Sequence, residues 1–554
     1  MRIVFILLLL ASQLAFGQDT INIGYYQNLE FSESDSLRGA LRPERTCFDV
    51  KHYNLKIDLD IKNKSLSGQN DMRFKYIADS KSLQIDLFDN MIIEEIMLEG
   101  KACSHFRKYN AVFVDLPVLE IGQEYTMKIK YKGQPIIAKS PPWDGGFVWT
   151  KDEQNNPWIG VACEGTGASL WWPNKDHLSD EPDSMKVAIT VPEELMAVAN
   201  GNLVDSQTTD GRSTYTWNIS YPINNYNVSI NVGDYQHFSN VYTSPIKGEL
   251  ACDYYVLSYN LKKAKEHFKQ VDGVLESFEH YFGPYPFWED GFALIETPYL
   301  GMEHQSGIAY GNQYKRGYMG SMIPKDMNWD YIIVHETGHE YWGNSISVKD
   351  HADMWVHEGF TTYMEALYVE YHFGREAVDR YLAMQRSFMQ NIAPVQGPKD
   401  VNFGDFGGSD HYYKGSYMLH TLRTVMNDDD AWFTLLRSIY DEYKMSVVET
   451  QDIIDYINDF CTQDYTKFFQ QYLGYGPLPE LEYQLKEKGK NLTVRYRWSS
   501  PVDNFSMPIE IGHRDAPTRL ECTSEWQEIK INKLSAWDFW INDKDFLIIT
   551  TKVN

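Results

Sequence analysis

Apolar and polar positions alternate at Tyr53, Leu55, Ile57, Leu59 and Ile61, the period of a half-buried strand. The same period returns at Leu83-Ile85-Leu87, Val112-Val114-Leu116, Met127-Ile129-Tyr131, Val187-Ile189-Val191, Tyr215-Trp217 and Val228-Ile230-Val232, with turn residues between. Many short strands predict an all-β sandwich or open barrel up to about residue 240. Near Leu261 the period changes. Residues 262–281 place Ala264, Phe268, Val271, Val274, Leu275 and Phe278 at helical spacing, and Gly283-Pro284 closes the helix. A short strand is predicted at 292–296 and another at 308–310, where a free edge would let an extended chain pair. Helical patterns follow at 375–389, 413–426, 432–443 and 451–460, then the punctuation Gly474-Tyr475-Gly476-Pro477. Alternation resumes at Leu492-Val494-Tyr496, Ile509-Ile511, Ile529-Ile531 and Phe546-Ile548, predicting a small closing β domain. From residue 18 to about 43 nothing is periodic, which reads as a linker or surface arm. The pattern is multidomain α+β: 18–240 all-β, 241–478 mainly helical, 479–554 a small β-sandwich-like domain.

Composition agrees with several buried cores: 554 residues, 43% hydrophobic and 14% aromatic. The net charge of −26 excludes a phosphate backbone or an anionic membrane surface as partner, so no nucleic acid is expected. Met1-Arg2, the apolar run 3–10 and Ala15-Phe16-Gly17 form the three parts of a secretory signal peptide over residues 1–17. Cleavage near Gly17/Gln18 would export the chain to the periplasm or medium; a retained anchor is the alternative, although the run is short for a bilayer. No other stretch approaches membrane length, so no stable insertion is expected. Six dispersed cysteines without a C-x-x-C pair read mostly as buried thiols.

The chemistry centres on His335-Glu336-Thr337-Gly338-His339, led by the apolar run 331–334. At about 3.6 residues per turn, His335 and His339 share one helix face and reach one metal. Glu336 points beside that metal, as suits a base acting on a metal-activated water. Gly343-Asn344 supplies a stop. A second helix, periodic from 361 to 371 and preceded by Trp355-Val356-His357-Glu358, can present Glu358 as third ligand. Two His, one Glu and an open position describe a catalytic zinc site with one Zn²⁺ per chain. Glu365, two turns beyond Glu358, is either an outer partner of a zinc histidine or a solvated glutamate. The stretch 160–167, with Cys163-Glu164-Gly165, breaks the β alternation and is either a glycine-rich turn or a loop folded for function. Trp171 and Trp172 after it read as packing.

These residues resemble the M1 family of zinc aminopeptidases. His335-Glu336-x-x-His339, eighteen residues and then Glu358 is its zinc signature, and Trp355 to Phe360 is similar to its W-L-N-E-G-F. Leu300-Gly301-Met302-Glu303-His304 stands in the place of G-A-M-E-N, matching its letters at Met302 and Glu303. Tyr412-Tyr413-Lys414-Gly415 resembles Y-E-K-G, whose first tyrosine is catalytic, and Cys163-Glu164-Gly165 resembles the segment that helps hold the substrate amine. The resemblance implies a thermolysin-like catalytic domain at 241–478. It further implies hydrolysis of the N-terminal peptide bond of peptides with a free amine. His335, His339 and Glu358 would be ligands, Glu336 and Tyr412 catalytic, and Glu303, Glu164, Gly301 and Met302 substrate-binding. The alternatives are a thermolysin-like endopeptidase, which lacks an amine anchor, or a catalytically silent binding protein of the same fold.

Overall fold

The computed structural model describes residues 24–554 apart from Gln27 and Gly407. The leader expected at residues 1–17 lies outside the described residues.

The N-terminal region is built on an eight-stranded sheet whose centre is Phe48–Asp60, antiparallel to Ser65–Tyr76 and parallel to Ser184–Pro192. The alternation in the sequence is the alternation in space: Tyr53, Leu55, Ile57 and Leu59 are buried while their neighbours face outward. A four-stranded sheet, with Pro157–Ala162 between Gly146–Lys151 and Asn231–Gly233, carries the loop that follows Ala162 toward the helical region. Trp171 and Trp172 are fully buried, Trp172 edge-on to Tyr53 and Trp171 edge-on to Phe147.

The expected boundary at 240/241 moves. The strand Tyr235–Ser244 pairs with Gly248–Leu257, which pairs in turn with Phe292–Glu296, so one five-stranded sheet begins at 235. Its apolar residues, Tyr235, Phe238, Val241 and Tyr242, show no strict alternation, so no period in the sequence marks the change of sheet. Phe292–Glu296 is an inner strand; Gly301–Met302 is the edge. The helix expected over 262–281 is two helices, Leu261–His267 and Val271–Phe282, joined by a 3₁₀ turn at Phe268–Gln270.

The helical region packs the His helix (Tyr331–His339), the Glu helix (Trp355–Phe373) and the Tyr helix (Asp410–Met426) face to face. The Glu helix starts at Trp355, six residues before the periodic part begins, which puts Glu358 in its first turn. The His helix stops at His339, short of Gly343, because the chain turns back with Tyr341 and Trp342 N–H both donating to Gly338 O. A helix at Thr466–Gly474 leads into a four-stranded and a three-stranded sheet that close the chain.

Within the segment read as a linker or surface arm, the described residues from 28 onward include two short helices. Helix Glu33–Gly39 starts with a capping box, Ser32 and Asp35 exchanging side-chain-to-backbone bonds, and helix Pro43–Thr46 follows. Both are too short to show a period. All six cysteines are free thiols. Among the described residues, no helix is long and apolar enough to cross a membrane.

Candidate active site

The His helix begins where Asp330 accepts the N–H groups of Ile332 and Ile333, and the same carboxylate accepts from Tyr310 Oη and Asn312 Nδ2. This fixes the helix start against the sheet. One turn apart, His335 and His339 then direct their Nε2 atoms to one point, 3.2 Å from each other. Glu358 Oε2 lies 3.6 Å from the first and 3.3 Å from the second. Zinc bonds of about 2.0–2.1 Å in tetrahedral array would separate ligand atoms by about 3.3 Å. Glu358 Oε2 is also buried without a well-formed hydrogen bond. The three groups therefore fit a zinc ion.

Both imidazoles are oriented from behind. His335 Nδ1 sits 2.6 Å from Glu365 Oε1, and Glu365 Oε2 accepts from Tyr381 Oη at 2.6 Å. Glu365 is fully buried, which decides between its two sequence readings. His339 Nδ1 faces Trp342 O at 3.0 Å and Thr361 Oγ1 at 3.2 Å. With each Nδ1–H so engaged, each Nε2 presents its lone pair to the common centre.

Three close backbone approaches assemble the site. A Cβ on Gly338 would come within 3.0 Å of Thr361, so the His and Glu helices touch there. A Cβ on Gly359 would lie 3.1 Å from Gly415 Cα, which lets the Glu and Tyr helices meet backbone to backbone beside Glu358. That contact brings Tyr412, half-buried, over His335, their rings 6.0 Å apart and near parallel. Lys414 ties the Tyr helix to the interdomain turn by donating to Tyr475 O and Gly476 O; burial lowers its ammonium to about 8. On the edge strand, a Cβ at Gly301 would meet Glu336 Oε1 at 2.8 Å, so the glycine leaves room for that carboxylate.

All these groups line one cavity of about 570 Å³. Beside the ligands the cavity carries Glu303, from the edge-strand turn and within 4.8 Å of Glu336 and His339, and Glu164, from the loop of the β region. Burial above all, then Glu303, Glu358 and Glu336 nearby, holds the Glu164 carboxyl well above its ordinary range. Burial likewise raises Glu303, opposed by His339. Burial pushes Glu336 up to about 7 against the pull of His335 and His339. Like charges crowded in a desolvated wall disfavour one another, and a cation between them relieves the conflict.

The residues expected as ligands, catalytic groups and substrate contacts all line the cavity: His335, His339, Glu358, Glu336, Tyr412, Glu303, Glu164, Gly301 and Met302. Others carried only a faint signal. Tyr226 Oη donates to Glu303 Oε1 at 3.1 Å, and Asn344 Nδ2 donates to Glu303 O while accepting from Asn227 Nδ2. A run of three asparagines around Tyr226, buried between apolar positions, was the available clue. His351 and His411 also line the cavity. His304, in place of the family's Asn, is fully buried and does not line it.

Comparison with known proteins agrees with this geometry. The model of the peptidase M1 N-terminal domain matches residues 49–226, and that of the peptidase family M1 domain matches 266–472. Leukotriene A-4 hydrolase of Xenopus laevis is 22% identical over 74% of this chain and 68% of its own length. Aminopeptidase N of Lactobacillus helveticus is 22% identical over 83% of this chain and 56% of its own. The crystal structure of an M1 zinc metallopeptidase from Deinococcus radiodurans superposes with a TM-score of 0.66 at 20% identity, covering 78% of this chain and 95% of that one. With the two matched segments together covering more than half of the chain and the ligand triad inside the second, this chain belongs to the M1 family of zinc peptidases.

Proposed function

We propose that the protein is an aminopeptidase that removes the N-terminal residue of peptides. The observation that carries this reading is the carboxylate pair Glu303 and Glu164, facing the same cavity as the triad from two different regions of the chain. A free α-ammonium satisfies both; an internal peptide bond would leave them desolvated against a neutral amide.

Zinc held by His335, His339 and Glu358 would supply Lewis acidity, lowering the pKa of a water from about 15.7 toward about 7 and polarising the scissile carbonyl. Glu336, its carboxylate above Gly301, takes a proton from the attacking water and returns it to the departing amine. Tyr412, kept protonated by burial and by Glu358, donates its O–H to the oxyanion as charge develops there. Glu303 and Glu164 hold the amine, and Tyr226 holds Glu303. Gly301 and Met302, on the free edge of the five-stranded sheet, offer backbone to an extended substrate. The leader read at residues 1–17 supports an exported location. Activity of Leukotriene A-4 hydrolase type, suggested by that relative's name, has no observation favouring it here.

The test is hydrolysis of a panel of aminoacyl-arylamides before and after dialysis against a chelator. Loss of turnover with the metal and its return with zinc alone is expected; full activity in metal-free protein would refute the reading.

A further inference from the structure

The residues ahead of the first matched family segment, 24–47, lie across both walls of the cavity. Tyr26 Oη donates to Pro394 O at 3.0 Å, and its ring meets Phe403 edge-on at 5.0 Å. Phe403 contacts Phe406, which lines the cavity. Further along, the arm backbone presses on the same loop: a Cβ on Gly39 would fall 2.3 Å from Val401 N and Asn402 N. Between these contacts, Arg38 Nη2 donates to Gly165 O at 3.0 Å, and Asn402 Nδ2 donates to that same oxygen at 3.0 Å.

Gly165 follows Glu164 directly. The loop around it turns through two positive-φ glycines, Gly165 at +69° and Gly167 at +96°, and is closed by Thr166 N–H donating to Glu164 O and Gly167 N–H to Cys163 O; the space beside Gly165 is open, and Arg38 and Asn402 hold its carbonyl from outside the loop. The arm is itself anchored to the β region. Arg45, fully buried, pairs with Asp86 at 2.7 Å and donates to Arg38 O. Gln84 donates to Leu37 O, and His177 bonds Gly39 O at 3.0 Å. Arg38 itself lies over the Phe88 ring.

We infer that Arg38 is a positioning residue for the amine-holding wall: with Asn402 it grips the Gly165 carbonyl and so sets where the Glu164 carboxylate stands. The arm makes this grip an interdomain one, since Arg38 is anchored to the β region and Asn402 belongs to the cavity loop of the helical region. Removing one donor lets the loop relax without touching the triad, Glu336 or Tyr412. Binding of the free amine suffers and the chemical step does not. The inference rests on Glu164 as an amine holder.

The experiment is steady-state kinetics on a free-amine aminoacyl-arylamide with Arg38→Ala, Arg38→Lys, Asn402→Ala, Glu164→Ala and the Arg38→Ala/Glu164→Ala double variant. Each ~1.4 kcal/mol of lost binding is about tenfold, so loosening one of the two amine holders should raise KM by roughly tenfold or more in Arg38→Ala. The kcat should stay within about threefold, the split expected when binding alone is lost. Arg38→Lys should recover part of the loss, and the double variant should be no worse than Glu164→Ala. Should Arg38→Ala not fold, Asn402→Ala must give the same split. An unchanged KM in both, or an undiminished Arg38 effect on top of Glu164→Ala, overturns the inference alone. If Glu164→Ala leaves KM unchanged, the assignment of Glu164 falls and the inference with it.

Discussion

The metal half and the amine half of the cavity are made in different ways. The metal half stands on three helices: His335 and His339 lie one turn apart, Glu365 orients His335 from the neighbouring helix, and Gly359 meets Gly415 where the Glu and Tyr helices touch. Helix geometry fixes the spacing of His335 and His339, and the packing of these helices on one another brings Glu358 and Tyr412 to it. The amine half draws on an edge-strand turn for Glu303, a 3₁₀ turn for Tyr226, a glycine loop for Glu164 and the N-terminal arm for Arg38. Its geometry exists only when two regions have docked. The ligand triad is set by helices packed within one region; the part that, on the proposed function, would select a chain end is set by docking of two regions.

If that contrast is right, damage to the metal half should fall on kcat or metal affinity, and damage to the amine half on selectivity. The largest effect is expected for Glu336→Gln, which keeps the ligands and removes the base: kcat should drop by about 10²–10⁴ while zinc content by elemental analysis stays stoichiometric. Loss of zinc in this variant would show that the two functions of the helix are not separable. Next, Tyr412→Phe deletes one hydroxyl and leaves the ring over His335, so kcat should fall by about 10²–10³ with KM little changed. If kcat holds, the donor is another group, with Tyr413, which also lines the cavity, the next to replace. Glu365→Gln weakens the bond that orients His335; zinc affinity measured by competition with a chelator should fall by about 10–100-fold. The smallest effect belongs to Tyr226→Phe, which removes one hydrogen bond to Glu303. A loss of about 1.5 kcal/mol, or roughly tenfold in kcat/KM, is expected for free-amine substrates. A larger change in kcat than in KM there would blur the division.

The same contrast explains what could be read from the sequence. Strand alternation at Tyr53 to Leu59 and the spacing of His335, His339 and Glu358 depend on local geometry, and both appear in space as spaced in sequence. Glu303 and Glu164 were visible through the resemblance of their motifs, since nothing in residue spacing relates positions so distant. The arm was misread because Glu33–Gly39 is a seven-residue helix with one buried leucine, too short for a period, and its role lies in backbone contacts that no side-chain pattern reports. The start of the five-stranded sheet at Tyr235 is hidden for a related reason: Tyr235, Phe238, Val241 and Tyr242 carry no strict period, and only the partner strand decides the sheet to which they belong.

The central claim is that the cavity selects a free amino terminus, and the most direct measurement is kcat/KM for one peptide with its amine free and acetylated, in wild type and in Glu303→Ala. Removing one partner of such a charge pair typically costs about 2–5 kcal/mol, or about 30-fold to several thousand-fold. The wild type should prefer the free peptide by that factor, and Glu303→Ala should lose the preference by slowing cleavage of the free peptide while leaving the acetylated one nearly unchanged. Equal cleavage of both peptides by the wild type would contradict the account and identify the protein as an endopeptidase.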